Sequence, residues 1–379
     1  MIRGYKIRLY PNKEQEQKFK KHIGASRWIW NYMLNLQQER FKNGEKYLSE
    51  FDMNRLITKL RQEYVWLQDI SSATLYRRCA DLNRSYQRAF QKINNFPTFK
   101  TKKHSKMSFP LRDQRGRVWF SEKFVTIPNV GKVKYKTDFN MPLGNNIKFL
   151  NPRISYVNNK WILSINLECE NQTYKLTDKL IGVDLGVKKT ATVAYDDQIM
   201  VFNNINKSKK MKKIEKQIKH LQRSIFRKYE LNRDGLIYKK TKNIIKEEEK
   251  LRKLYAKQKN IRNNYIHQMT HKIVSLNPCQ IVVEDLNVLG LMKNRHLSKV
   301  IQEQCFYEII RQIKYKSEWH GIKFIKANRF FASSKICSNC GNIKHDLTLK
   351  DRVFECRICG LKIDRDENAA INLMKYTIN

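Results

Sequence analysis

Two cysteine pairs near the end of the chain constrain it more than any other feature. Cys337 and Cys340 are separated by two residues, Cys356 and Cys359 likewise, and fifteen residues lie between the pairs. A two-residue gap lets both thiolates of one turn reach the same ion, and four soft thiolates suit tetrahedral Zn2+. Gly341 and Gly360 follow the second cysteine of each pair, where the backbone must turn tightly. With protein sulfur at every ligand position, the zinc is expected to be structural and not catalytic. The other cysteines, Cys79, Cys169, Cys279 and Cys305, are scattered. No apolar run follows the opening Met1-Ile2-Arg3-Gly4, and no stretch approaches the roughly 18 apolar residues of a membrane span. A reducing cytoplasm is therefore expected, where clustered cysteines hold metal in preference to forming disulfides.

Three acids stand in unusual surroundings. Asp184 ends the apolar run IGVD, Glu284 sits in a second apolar run, IVVED, and Asp366 follows Asp364-Arg365 at the start of a closing helix. A carboxylate in an apolar strand is costly unless it is paired or binds a cation. A single strand-end aspartate is commonly a turn or cap residue. The ordered set is more specific: strand with Asp, two strands, helices, strand with Glu, helix, strand, helix with Asp. It is the RNase H-like plan, in which three carboxylates hold two divalent cations about 3.5–4 Å apart for phosphodiester hydrolysis. Asp366 immediately precedes the helix ENAAINL and can cap it, which favours it over Asp364 as the third acid. Asp285 adjoins Glu284 but points to the opposite face of a strand, so it is left out.

Charge selects the partner. The 379 residues carry 76 Lys and Arg against 35 Asp and Glu, a net +41. A chain so basic repels itself and suits a large polyanion, not a small-molecule substrate. In FPTFKTKKHSKMSF, the cations Lys100, Lys102, Lys103 and Lys106 are interleaved with Phe96, Phe99, His104 and Phe109, a pattern suited to phosphate contact with base stacking. Arg77, Arg84 and Arg88 fall near one face of a helix over 73–92, with Tyr76 close by. Between Lys207 and Lys259 lie 20 Lys/Arg and 6 Asp/Glu, a solvated, polyanion-facing stretch.

Periodicity orders the elements. Tyr5, Ile7 and Leu9 alternate as a first strand, and Asn12 with Gln15 reads as a capping box opening a helix to about Asn43-Gly44. Helices follow near 53–65, after Asp52, and from the Ser71-Ser72 cap to about Lys92. Residues 95–168 then read as strands, with a hairpin turning at Asn158-Asn159. A strand before the helices and several after predict one β-barrel with a helical block inserted. LIGVD, TATVAY and QIMVF give three more strands, and 207–265 reads as a helical hairpin with apolar stripes Ile214, Ile218, Leu221, Ile225 and Ile237, Ile244, Leu251 about Asp234-Gly235. A strand at 280–286, a helix at 298–319 and a strand at 322–327 precede the cysteines, and a helix from about Glu367 to Lys375 closes the chain.

Taken together, these segments resemble the TnpB family, RNA-guided nucleases encoded by insertion sequences and related to the type V CRISPR effectors. GYKIRLYPNKEQEQ resembles the family's opening strand and helix, GASRWIWNYML its next segment and FPTFKTKKHSKMSF its basic connection. IGVDLGVKKTAT, IVVEDLNVLGL and DRDENAAINL resemble three RuvC motifs, with the zinc ribbon between the second and third. The resemblance implies an α/β multidomain fold. A wedge-like β-barrel (1–12 and 95–176) would carry an inserted helical recognition lobe (13–94). A RuvC nuclease domain (177–332 and 363–379) would follow, with a zinc ribbon at 333–362. It implies one protein bound to a structured guide RNA, recognition of a short transposon-adjacent motif on duplex DNA, and sequence specificity from guide–target pairing. Asp184, Glu284 and Asp366 would be the catalytic carboxylates, holding two Mg2+, with Mn2+ as a substitute. The adjacent-motif readers would lie on the helix holding Tyr76 and Arg77. One branch of the family lacks the acids and acts as a guide-directed repressor; all three acids stand here. A transposase using the same acids is the other alternative.

Overall fold

The computed structural model describes residues 2–111, 118–137, 141, 149–169, 174–348 and 351–376. Two compact units divide the chain, Met1–Glu170 and Asn171–Asn379.

In the first unit, β1 (Ile2–Tyr10) buries Ile7 and Leu9. The expected capping box opens α1 (Lys13–Lys42): Gln15 N donates to Asn12 Oδ1 at 2.8 Å and Asn12 N to Gln15 Oε1 at 3.1 Å. A second box, Ser49 with Asp52, opens α2 (Glu50–Glu63), so Asp52 lies inside the first turn and not before the helix. With α3 (Ser72–Phe90), these helices close a core of Ile29, Met33, Leu34, Met53, Ile57, Leu75 and Leu82. The strands β2 (Ser108–Pro110), β3 (Trp119–Phe120), β4 (Phe124–Ile127), β5 (Gly131–Lys136), β6 (Phe149–Val157) and β7 (Lys160–Glu168) follow. They join β1 in an antiparallel sheet of order β2-β6-β7-β1-β5-β4-β3. Because β1 pairs with β5 and β7, the helical block is an insertion into this sheet. Asn158 and Asn159 turn the β6–β7 hairpin at φ of +50° and +60°, as a tight turn requires.

The sheet is curled. Phe120 on edge strand β3 sits 5.2 Å, ring to ring, from Phe149 on β6, next to the opposite edge. Among the described residues, edge strands β2 and β3 are not hydrogen-bonded to each other. Phe19 and Ile23 of α1 enter the sheet core, so the helical block begins as part of the sheet's own packing.

The second unit starts with a meander of β8 (Thr177–Leu185), β9 (Lys189–Tyr195) and β10 (Gln198–Asn203). A basic hairpin follows: α4 (Lys209–Leu231), the short ribbon β11 (Arg233–Asp234) and β12 (Ile237–Tyr238), and α5 (Lys242–Val274). Ile237 lies in the ribbon and is exposed, not in the expected helical stripe. The helix α5 outruns the expected end at 265, and its last turns bury Ile266, Met269 and Ile273 in the core. Next come β13 (Pro278–Val283), α6 (Val288–Met292), α7 (Ser298–Gln304), α8 (Phe306–His320) and β14 (Lys323–Lys326). The helix expected over 298–319 is two helices, parted at Cys305, whose φ is +56°. Last come β15 (Val353–Glu355), β16 (Lys362–Asp364) and α9 (Arg365–Met374).

The main sheet runs β10-β9-β8-β13-β14, with β8, β9 and β10 antiparallel and β13 parallel to both β8 and β14. Alternation divides its faces. Ile181, Val183, Ile281 and Val283 face a core shared with α5 and α8. Val282 and Ile325 face the other way, toward Leu373 of α9. Among the described residues, no helix is long and apolar enough to cross a membrane.

Candidate active site

Register brings the acids together. Val283 of β13 lies beside Val183 of β8 in a parallel ladder, so the next residues, Glu284 and Asp184, are neighbours on the face that α9 covers. The strand ends at Val283, so Glu284 stands just beyond it and not within it. Asp366 arrives in the first turn of α9. Asp184 is half-buried, and its carboxyl is pushed well above the usual range. Desolvation is the main cause, followed by the charges of Glu284 and Asp366, while Arg365 acts in the opposite sense. Burial also raises Glu284, partly offset by its hydrogen bond with Asp184. Arg365 stands 3.6 Å from Asp366.

The choice between the two aspartates of DRD now has a geometric basis. Asp364, not Asp366, caps the helix: its side chain accepts the backbone N–H of Asp366 at 2.9 Å and of Glu367 at 3.4 Å. Lys189 holds its other oxygen at 3.2 Å. Asp364 is thus occupied by capping and an ion pair; the charges of both aspartates bear on Asp184, that of Asp366 more strongly. Asp285 pairs with Lys326 at 3.2 Å and Arg329 at 3.0 Å, away from the acids.

Sequence reasoning passed over Gly182. It lies two residues before Asp184, on the same face of β8, and α9 crosses directly above it. A Cβ there would fall 2.1 Å from Ala370 O and 2.3 Å from Met374 N. Only glycine lets the helix approach the strand this closely, and that approach brings the first turn of α9, with Asp366, within reach of the charge of Asp184. The signal was present as a glycine inside an apolar strand, which commonly marks a close backbone approach.

The four cysteines converge. All four Sγ atoms lie within 4.8 Å of one another, with Cys337 to Cys359 at 3.5 Å and Cys340 to Cys356 at 3.6 Å. Zn–S bonds of about 2.3 Å at a tetrahedral angle need sulfurs about 3.8 Å apart, so the set fits a zinc ion. The two turns repeat each other: Gly341 N donates to Cys337 O and Gly360 N to Cys356 O, at φ of +76° and +72°. The Cys359 backbone N–H, aimed at Cys356, holds that thiol down at about 6, which favours the ligating thiolate.

The expected nucleic-acid residues divide by exposure. Arg84, Arg88, Lys102, Lys103 and Lys106 are exposed, as are Phe96 and Phe99. Tyr76 is half-buried against the helical core, and Arg77 donates to Asn151. Lys100 turns inward: its ammonium lies 2.9 Å from the centre of the Trp30 ring, and Asn31 brackets its backbone. Burial, then the charge of Arg78, pulls Lys100 down to about 7. Phe109, expected among the stacking aromatics, is instead wholly in the core.

Comparison with known proteins agrees along the chain. A family model described as "Cas12f1-like, TNB domain" matches residues 306–373, and one described as "Probable transposase" matches 164–295. A third, "Helix-turn-helix domain", matches 1–46, which here hold β1 and the single long helix α1. "Putative RNA-guided DNA endonuclease InsQ" of Escherichia coli (strain K12) is 28% identical over 396 residues, covering 98% of this chain and 92% of that protein. A relative of the same description from Streptomyces pristinaespiralis is 24% identical, over 98% of this chain and 88% of its own. "CRISPR-associated endodeoxyribonuclease Cas12f1" of Sulfoacidibacillus thermotolerans is 31% identical over 57% of this chain and 50% of its own. The solved "mini-RNA-guided endonuclease CRISPR-Cas_phi3" shares the fold, with a TM-score of 0.50 over 99% of this chain and 92% of that one, at 11% identity. The chain is thus similar over nearly its whole length to proteins described as RNA-guided DNA endonucleases, and over parts of it to the family models of the IS605-type OrfB proteins.

Proposed function

We propose that this chain is an RNA-guided DNA endonuclease. It binds a structured guide RNA and cuts double-stranded DNA beside a short transposon-adjacent motif. The observation that carries the reading is the pairing of Asp184 with Glu284, within reach of the charge of Asp366, in a chain whose net charge is +41. Asp184, driven up by desolvation and by the neighbouring acids, and Glu284, driven up by desolvation, are poised for a cation. Two divalent ions, Mg2+ with Mn2+ as a substitute, would supply water activation and stabilisation of the leaving oxygen. The chain's own residues do the rest. Asp184 is fixed by ladders on both sides of β8, Glu284 by the end of β13, and Asp366 by the seat of α9 on Gly182.

The sheet order, three antiparallel strands joined to two parallel ones, supports an RNase H-like RuvC domain. The curled sheet with its helical insertion supports a wedge-like barrel carrying a recognition lobe. Zinc at the four cysteines is structural. Exposed Arg84, Arg88, Lys102, Lys103 and Lys106 are the residues suited to phosphate, and Phe96 and Phe99 the surfaces suited to bases.

The test is to purify the protein from cells carrying its native flanking DNA and to sequence the RNA that comes with it. The reading expects one defined, structured RNA ending in variable flanking sequence. Heterogeneous RNA released by salt would overturn it and favour a transposase, whose strand-transfer products a joining assay would detect. Guide-dependent binding with no cleavage by the intact chain would favour a repressor.

A further inference from the structure

The helix α9 carries two stripes with different partners. Asp366, Ala370 and Leu373 fall at i, i+4 and i+7 and face the sheet. Asn368, Asn372 and Lys375 repeat the same spacing on the flank that meets the first cysteine turn. Asn368 uses both ends of its amide: Nδ2 donates to Ile336 O at 2.7 Å, and Oδ1 accepts from Ser338 N at 2.9 Å. Its two partners flank Cys337 directly. Asn372 Nδ2 donates to Ser333 O and Ile336 O, both at 2.7 Å, and Lys375 Nζ to Ser338 O at 2.6 Å. Both asparagines are buried.

The second cysteine turn grips the same helix by another route. Cys356 and Cys359 lie between β15 and β16, which pair through Phe354 and Ile363, and β16 runs into α9 with no intervening residue. Arg365 N donates back to Arg352 O at 2.8 Å. One arm therefore holds α9 by side-chain amides and the other by the main chain. The two arms meet at the sulfur cluster, where Cys337 faces Cys359 and Cys340 faces Cys356.

We propose that the zinc ribbon positions the catalytic helix: Asn368 and Asn372 are positioning residues that convert zinc binding at the four cysteines into a fixed place for Asp366. The ribbon presses α9 onto Gly182 from the side opposite the sheet. Without zinc the two arms lose their common anchor, and Asp366 loses its fixed place near Asp184. This rests on the endonuclease reading only for the role of Asp366; the coupling of zinc to the order of α9 is independent of it.

The experiment uses the full chain with its copurified RNA, as wild type, Asn368→Leu, Asn372→Leu and zinc-stripped wild type. Zinc is measured by metal analysis, with about one equivalent expected in wild type and in both variants. Amide exchange is followed in α9, with α5 and β13 as internal references. The proposal expects exchange in α9 to rise about tenfold or more in all three altered forms while the references hold. It also expects both variants to bind target DNA normally but to need severalfold more Mg2+ for half-maximal cleavage. Unchanged exchange in α9 after zinc removal overturns the proposal, and this reading survives even where a leucine variant fails to fold. Changed exchange with an unchanged Mg2+ midpoint also overturns it, since the asparagines would then only dock the ribbon. Failure of wild type to cut DNA would count against the endonuclease reading and leave the zinc-dependent exchange to decide the coupling.

Discussion

Replacing Gly182 by alanine tests whether the seat of α9 on β8 sets the active site. The added Cβ would lie 2.1 Å from Ala370 O, where ordinary contact begins near 3.4 Å, so the helix must retreat by about 1.3 Å. Side-chain adjustment gives no relief, because the nearest atoms, including Met374 N and Leu373 C, are all backbone. Overpacking of this kind costs about 1–3 kcal/mol of stability. Its effect on chemistry is larger in proportion. Asp366 rides on the displaced helix, and a misplacement of about 1 Å can cost about 100-fold in rate, or about 2.7 kcal/mol of barrier. The assay is single-turnover cleavage of a matched duplex by guide-loaded protein, with target binding, RNA retention and thermal unfolding measured on the same preparations. The expected result is a modest loss of stability, intact binding and cleavage slowed about 100-fold. A folded Gly182→Ala protein cutting at the wild-type rate would refute the argument that this contact places Asp366.

Other outcomes follow from single groups. Asp366→Ala should abolish cleavage, whereas Asp364→Ala should lose a helix cap, about 1 kcal/mol, and keep measurable cutting; the reverse order in a cleavage assay would show that the wrong aspartate was chosen. Nonspecific affinity for nucleic acid should fall steeply with salt, by about 10^3-fold or more between 50 and 200 mM if six or more phosphates are neutralised; a flat titration would contradict the role given to the +41 charge. Lys100 is pulled down to about 7 in the fold from its ordinary 10.5, so the unfolded chain binds more protons between those values and stability should rise as pH rises through that window. Lys100→Met should remove that share of the pH dependence in denaturant unfolding, and an identical slope in both proteins would count against the buried position of Lys100.

Much of the site was legible because its signals are local. The capping box at Asn12 and Gln15, the positive-φ turn at Asn158-Asn159 and the two cysteine turns each depend on residues a few positions apart. The acids stood out because apolar strands seldom carry carboxylates without cause, and the β8–β13 register makes Asp184 and Glu284 neighbours. What escaped was set by contacts distant in sequence. Gly182 matters only because α9 returns to it from nearly 190 residues later. Asp364 and Asp366 are both plausible caps in DRDEN, and β16, pairing with β15 up to Asp364, fixes which of them begins the helix. The break at Cys305 was hidden because the apolar period of Val300, Phe306, Ile310 and Ile313 runs through it. Lys100 looked like one cation among several in a basic run, and the Trp30 ring that draws it inward lies 70 residues earlier.

The most direct test of the central claim is cleavage of a duplex that matches the copurified RNA and carries the element's flanking motif, by wild type and by Asp184→Ala, with Mg2+ present. The account predicts double-strand cuts by wild type that require the match, and target binding without cuts by the variant. Cutting by Asp184→Ala at the wild-type rate, or cutting by wild type that ignores the RNA sequence, would contradict it.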